Sequence, residues 1–479
     1  MDDISFSKRK KVVLDHSLKM SYQYSRWEHK NRYTHAEHRR YLKFLVPEGL
    51  RILDIGCGVG DLLASMSPSY GVGIDFNPQL IDQAIAKYPS LNFIVGDVEN
   101  PQTISNLKGP FDIIILSDII GELDDVQTFL TLLHQHCTEE TRFIITFYNT
   151  FWEPLLKLAE HLGLKKPQVE QNWLSTADIR NILELADFDV IKQDWRQLVP
   201  YKLLGLGHLV NRYIATLPLI RKACLRNYAV ARSQKVQRRK NYSATVLIPC
   251  RNERGNIEDA VLRTPKFCDD IEIIFVEGHS SDGTPEEIQR IISKYPEYDI
   301  KSLVQPGIGK ADAVRAGFEI ARGEVLMILD ADLTLPPEDL PKYYEALVSK
   351  KGEFINGSRL VYPMEKQAMR FLNQIANRIF SLIFTYLLNQ RFTDTLCGTK
   401  VLHRRHYDQI VVNRAYFGDF DPFGDFDLMF GATKLNLKIA EVPIRYANRQ
   451  YGTSQISRFR HGILLIKMVI FAFRKFKSF

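Results

Sequence analysis

Acidic residues are missing from two long stretches of this 479-residue chain. None lies between Asp194 and Glu253, where Arg221, Lys222, Arg226, Arg232, Lys235, Arg238, Arg239 and Lys240 gather. None follows Glu441, where Arg445, Arg449, Arg458, Arg460, Lys467, Arg474, Lys475 and Lys477 gather. The net charge of +7 is therefore local. Such runs attract nucleic acid, anionic lipid or a phosphorylated ligand, and a solvated linker and tail is the plain alternative. Cysteine is scarce: six residues without close pairs, which excludes a disulfide framework or a zinc knuckle and fits a reducing cytoplasm. Met1–Lys11 is polar and basic with no apolar centre, so no secretory leader is expected. Gly462–Phe473 is apolar for only twelve residues, interrupted by Lys467, short of the roughly twenty that a spanning helix needs. Internal repeats and low-complexity segments are also absent.

What is present is α/β alternation, twice. Apolar runs at Arg51–Ile55, Tyr70–Ile74, Asn92–Val95, Asp112–Leu116, Arg142–Phe147 and Phe188–Lys192 alternate with amphipathic stretches, the pattern of a parallel sheet with crossover helices. From Tyr201 to Lys240 the period reads as helical and the composition as basic. A second series runs through Ala244–Pro249, Ile271–Val276, Ile300–Val304, Val325–Leu329 and Phe354–Gly357. Two α/β domains are expected, residues 1–235 with a basic helical tail or linker and residues 236–479.

After the first run comes Asp54-Ile55-Gly56-Cys57-Gly58-Val59-Gly60. Glycine permits a tight turn and lets a ligand approach the backbone. Asp75 closes the next strand, 21 residues after Asp54, where a carboxylate can accept two ribose hydroxyls. Asp97 closes the third, placed to meet an adenine edge. A nicotinamide dinucleotide would need one more glycine, and Asp61 stands in its place. Taken singly, Asp54 and Asp97 are also ordinary cap or turn residues. The series resembles the class I S-adenosylmethionine-dependent methyltransferases over roughly residues 41–195, on Leu53–Gly60, Gly73-Ile74-Asp75, Gly96-Asp97 and Phe111–Leu123. That resemblance implies a Rossmann-like sheet, with Asp54, Gly56, Cys57, Gly58 and Gly60 on the methionine side of the cofactor. It sets Asp75 at the ribose and Asp97 at the adenine. Ser117, followed by Asp118, ends the fourth strand, where the methyl acceptor would enter; a helix cap is the other reading. The Asn-Pro-Pro-aromatic signature of amino-group nucleic-acid methylases is absent, and His134 and His136 read as surface or packing residues.

After Glu324–Leu329 comes Asp330-Ala331-Asp332. Two carboxylates at this spacing lean to one side and can hold Mg²⁺ or Mn²⁺ against a diphosphate. In order stand Val246–Glu253, Ser281-Asp282-Gly283-Thr284, Gly309-Lys310-Ala311 and Asp394-Thr395-Leu396-Cys397-Gly398-Thr399-Lys400. The set resembles inverting family 2 glycosyltransferases of the GT-A fold, in particular the dolichol-phosphate mannosyltransferase-like branch, over nearly all of residues 244–458. It implies Pro249, Asn252 and Glu253 beside the nucleotide and Asp282 supporting its loop, with Asp330, Ala331 and Asp332 at metal and diphosphate. Asp332 would be catalytic through that metal, and Thr334 a further ligand. Lys310 would add positive charge at the diphosphate or stand solvated. Arg449, Gly452 and Ser454 match the element that faces an acceptor phosphate, and Arg458 is a substitute for the lysine that Gln455 replaces. Glu277 stands where an Asp commonly meets the base. Asp425, in Phe423-Gly424-Asp425-Phe426-Asp427, is a candidate base for a hydroxyl acceptor, or else a structural carboxylate contacting arginines.

Together these readings imply a cytoplasmic bifunctional enzyme, peripheral at the inner face of the plasma membrane. It would take sugar from a nucleotide sugar to a polyprenyl-phosphate or glycan acceptor, and methyl from S-adenosylmethionine to a glycan or lipid. The basic C-terminal helix, with Phe459, Phe471, Phe473 and Phe476, suits the headgroup region, as does the aromatic-rich stretch Phe371–Leu388; packing on the core is the alternative for both. Two further readings stay open: a cofactor-binding regulatory module without turnover, and a nucleic-acid methylase with an accessory domain. No nucleic-acid partner is expected, because no RNA-binding module or aromatic stacking motif is visible.

Overall fold

The computed structural model describes residues 7–169, 171–362, 371–417, 426–447, 449, 451–452 and 458–479. It divides into two units, Met1–Gln237 and Arg238–Lys477. Each is an α/β unit around one seven-stranded mixed sheet.

In the N-terminal unit the strands are β1 (Arg51–Ile55), β2 (Tyr70–Asp75), β3 (Asn92–Val95), β4 (Ile113–Ser117), β5 (Arg142–Tyr148), β6 (Phe188–Arg196) and β7 (Arg226–Ser233). Their order is β3-β2-β1-β4-β5-β7-β6. β1 to β5 pair in parallel, and covering helices explain why the central strands are continuous apolar runs rather than alternating ones. β7 is antiparallel to both neighbours. This strand corrects the helical expectation for Tyr201–Lys240: helical turns occupy Leu203–Ala223, but Arg226–Ser233 is a fully buried strand. The polar Arg226, Asn227, Arg232 and Ser233 conceal it in sequence; Arg232 pairs with Asp189 (3.1 Å) and Arg226 with Asp118 (2.7 Å).

The C-terminal unit holds β8 (Ala244–Cys250), β9 (Ile271–Glu277), β10 (Asp299–Val304), β11 (Val325–Ile328), β12 (Phe354–Ser358), β13 (Lys400–His403) and β14 (Ile439–Pro443). Their order is β10-β9-β8-β11-β13-β12-β14, with β13 antiparallel to β11 and β12. Buried aliphatic and aromatic side chains cover both faces of the central strands of each sheet. In both sheets the strand order reverses beside the first strand, between β1 and β4 and between β8 and β11. Ligands of open α/β sheets bind at such a switch point, off the carboxyl ends of the strands.

Candidate active sites

In the N-terminal unit a cavity of about 580 Å³ opens at that switch point. Asp54, Gly56, Cys57, Gly58, Asp75, Asp97 and Ser117 all line it. Gly60 does not; it adopts φ +77° and starts the helix Asp61–Ser65. The loop is held by amides: Gly56 and Cys57 donate to the Ile74 carbonyl (2.8 and 3.0 Å). Asp75 accepts from Gly58 N–H (2.9 Å) at one oxygen and from Asn77 N–H (2.9 Å) at the other. Gly56 has φ +75°, and a Cβ there would lie 2.7 Å from Ile119, so only glycine fits.

Asp54 is 1% exposed, and neither oxygen makes a hydrogen bond of good geometry. Burial, then the Asp75 charge, pushes its carboxyl up to about 7, with only the Leu63 amide opposing. An orphaned buried carboxylate beside a glycine loop fits a cationic ligand, and the ammonium of an amino-acid cofactor is such a group. Asp97 is met differently. Lys10, on the helix Lys8–Ser21, pairs with Asp97 (2.6 Å) and Glu99 (3.0 Å) at the cavity wall. Ser117 Oγ lies 2.9 Å from His38 Nε2, whose Nδ1 is 2.9 Å from Tyr228 OH. Beside it Asp118, at φ +60°, pairs with Arg226 (2.7 Å) and accepts from Thr146 (3.0 Å).

Sequence reasoning missed Lys10, His35, His38, Tyr148, Trp152, Lys165 and Arg226, all in the cavity wall. His35 and His38 share one face of the helix Arg32–Leu45, a spacing that was a usable signal. Burial, then the Arg226 charge, lowers His35 to about 4 and holds His38 well below its ordinary value, so both rings are neutral at pH 7. His134 and His136 are buried packing residues bound to Ser233 and to the Ala186 and Ile104 carbonyls.

In the C-terminal unit the segment after β8, the end of β9 and the turn after β11 converge. Asp330 accepts from Lys310 Nζ (2.5 Å), at the start of the helix Lys310–Ile320. Against the upward push of burial, that ammonium, with Lys400 and Arg359 behind it, keeps Asp330 below its ordinary value. Asp332 is held by Arg449 (2.7 Å), which also pairs with Glu253 (2.9 Å). The Thr334 hydroxyl and amide both donate to Asp332 Oδ1 (2.8 and 3.1 Å), so Thr334 orients that carboxylate. Ala331 is buried between the two aspartates. Gly398 comes so near that a Cβ on it would lie 2.0 Å from Asp330. Asp330 and Asp332 offer the carboxylate oxygens that a hard divalent cation takes, and each now rests against a side-chain cation that such an ion would displace.

Around them Pro249 lies in β8, and Asn252 takes φ +57° and accepts from Ser281 N–H (2.8 Å). The Glu277 carboxylate accepts from His279 and Ser280 amides (3.0 and 2.6 Å), closing the turn after β9. Asp282 accepts from Thr284 and from the Arg254 amide, tying two loops together. Asp425 and Ser454 lie outside the described residues, and Arg458 begins the helix Arg458–Phe476. Two residues past Asp425, Asp427 pairs with Arg315 (3.2 Å) and Arg414 (3.0 Å).

Comparisons with known proteins divide along the same line. Residues 27–193 match the family model described as a methyltransferase domain, and residues 245–417 match that of glycosyl transferase family 2. The dolichol-phosphate mannosyltransferase of Pyrococcus furiosus is 30% identical over 218 residues, covering 44% of this chain and 58% of that protein. An undecaprenyl-phosphate 4-deoxy-4-formamido-L-arabinose transferase of Enterobacter sp. is 25% identical over 233 residues, 48% of this chain and 67% of that protein. The chain thus spans about three fifths of the length of such curated relatives. Among solved structures, magnesium protoporphyrin IX methyltransferase from Synechocystis PCC 6803 aligns over 47% of this chain and all of its own, at 18% identity and a TM-score of 0.34.

Proposed function

We propose that this chain, which joins a methyltransferase domain to a family 2 glycosyltransferase domain, is a bifunctional enzyme. Its C-terminal unit transfers a sugar from a nucleotide sugar to a polyprenyl phosphate, with inversion, and its N-terminal unit transfers methyl from S-adenosylmethionine to a glycan or lipid. The relatives named for dolichol phosphate and undecaprenyl phosphate support that acceptor class.

The observation that carries the sugar transfer is the convergence of Asp330, Asp332, Glu253, Lys310 and Arg449 at the ends of β8 and β11. Asp330 and Asp332 would hold Mg²⁺ or Mn²⁺, which supplies positive charge against the leaving diphosphate. With that ion bound, Lys310 would be freed from Asp330 to meet the diphosphate. Arg449 would be freed from Asp332 for the acceptor phosphate, with Ser454 and Arg458, and Glu253 would border the nucleotide. A phosphate oxygen is already anionic, so the attack needs little base help, and Asp425 serves as base only for a hydroxyl acceptor.

In the N-terminal unit Asp54 would meet the cofactor ammonium, and Asp75, fixed by two amides, would hold the ribose. Bound S-adenosylmethionine supplies an electrophilic methyl group on a cationic sulfur. Neutral His35 and the Ser117–His38 pair line the same cavity and would face the incoming acceptor.

Peripheral membrane contact is supported by exposed apolar stripes on two helices that pack together, Ile375, Ile379 and Leu382 on Phe371–Leu388 and Ile463, Ile466 and Ile470 on Arg458–Phe476. Leu203, Leu204, Leu206 and Leu209 form another exposed apolar patch, within the acid-free stretch. Among the described residues no helix is long and apolar enough to cross a membrane. The six cysteines are free thiols, which fits a reducing cytoplasm.

The test is sugar transfer to a short-chain polyprenyl phosphate, with a panel of nucleotide sugars and Mn²⁺. Asp332→Asn should lower kcat by about a hundredfold or more, as loss of a charge-assisted metal contact does. Undiminished turnover in that variant would reject the metal assignment.

A further inference from the structure

We propose that the methyl acceptor carries an anionic group, a phosphate or a carboxylate, held in the N-terminal cavity by Arg226 and Lys165. The proposal rests on the reading of that cavity as the methyl-transfer site.

Arg226 is 1% exposed yet lines the cavity. Its Nη2 is taken by Asp118 (2.7 Å) and the Tyr148 hydroxyl (3.0 Å), while its Nε and Nη1 have no hydrogen-bond partner. Buried guanidinium N–H groups are ordinarily satisfied, and two unused donors on an arginine that lines a cavity point to a ligand that accepts from them. Guanidinium geometry matches carboxylate and phosphate oxygens. Lys165 adds a second positive charge. It lines the same cavity, and its ammonium lies 5.7 Å from the centre of the Tyr148 ring, with the Arg226 guanidinium 5.0 Å from the same centre. Glu160 and Gln168 already bind Lys165, which holds it in place.

The position separates this site from the cofactor loop. Across the sheet the order is β1, β4, β5, β7, with Tyr148 paired to Arg226 at the last step. Arg226 is therefore three strands from the glycine loop, about 14 Å at the usual strand spacing of about 4.8 Å. Ser117 and Asp118 lie between, where the reacting groups would meet.

All four tryptophans, Trp27, Trp152, Trp173 and Trp195, belong to the N-terminal unit, and Trp27 and Trp152 line the cavity. Their fluorescence reports on this site without interference from a diphosphate-binding unit. The full chain, with and without saturating S-adenosylhomocysteine, would be titrated with inorganic phosphate or acetate at ionic strength fixed by chloride. A saturable change is expected with the cofactor product bound, and the tighter anion identifies the group. Arg226→Gln should weaken it about tenfold or more and Lys165→Met several-fold. If the glutamine variant does not fold, Lys165→Met decides alone. No saturable response to either anion, or equal affinity in wild type and variants, would overturn the proposal. So would a response abolished by S-adenosylhomocysteine, because Arg226 would then serve the cofactor's own carboxylate. Failure of S-adenosylhomocysteine to bind, with phosphate still saturating through Arg226, would remove the cofactor reading and leave the anion site standing.

Discussion

At the end of β1 the Asp54 carboxyl sits in a place hostile to its charge, buried, beside Asp75 and without a good donor. Its folded value of about 7 lies above the ordinary value of about 3.9. Between those values the folded state holds the extra proton, so stability falls as pH rises from about 4 to about 7, by up to roughly 4 kcal/mol. Asp54→Asn removes that penalty. The apo variant should melt several degrees above wild type at pH 8 and near it at pH 4, while its affinity for S-adenosylmethionine falls about tenfold or more. Scanning calorimetry at both pH values and titration calorimetry check this; identical melting at pH 8 would refute the electrostatic account. Residues of this kind are legible in sequence because their neighbours are. Gly56 and Gly58 take positive φ in one short turn, and Asp75 stands at the end of the next strand. Lys10, Lys165 and Arg226 reach the same cavity from distant segments, and no local spacing announces them.

At the level of elements, Asp394 binds several together. Its two oxygens accept from Nε and Nη2 of Arg359 (2.6 and 2.9 Å) at the end of β12, from Asn377 (2.9 Å) of the helix Phe371–Leu388, and from the Leu396 amide (3.0 Å). Against the upward push of burial, Arg359 draws its carboxyl down to about 2. The stabilisation is complete above the ordinary carboxylate value and is lost as pH falls through about 2. Asp394→Asn leaves Arg359 buried without its counter-charge and should cost about 3–5 kcal/mol. It should also loosen the segment that brings Gly398 against Asp330, so denaturant unfolding and sugar transfer should fail together. Melting unchanged from wild type would contradict the clamp. The central strands β1, β2, β4, β5, β8, β9 and β11 were readable, since burial on both faces demands continuous hydrophobic runs. β7, β13 and β14 were not. β7 is rich in arginine and alanine, and the other two are only four and five residues long, so each is a strand only because neighbours supply its hydrogen bonds.

For the molecule as a whole, charge and exposed apolar surface coincide. The stripes Ile463, Ile466 and Ile470 and Ile375, Ile379 and Leu382 lie among basic residues such as Lys467 and Arg474. Vesicles rich in anionic lipid should therefore float with the protein, less so at high salt. Replacing Leu382 and Ile466 by glutamate should reduce flotation about tenfold or more while leaving the melting temperature near that of wild type, because both side chains are exposed. Flotation equal to wild type would remove these helices from the membrane surface.

Sequence alone determined the two α/β units, the glycine loop and the paired aspartates, because each depends on contiguous residues: strand hydrophobicity, turn geometry and a two-residue carboxylate spacing. Only the tertiary structure decided what faces those motifs. It set Arg449 against Asp332, Lys10 against Asp97, and an underused Arg226 at the far side of the cavity. Those pairings join residues separated by 87 to 117 positions, and chain packing, not local chemistry, sets which charges meet.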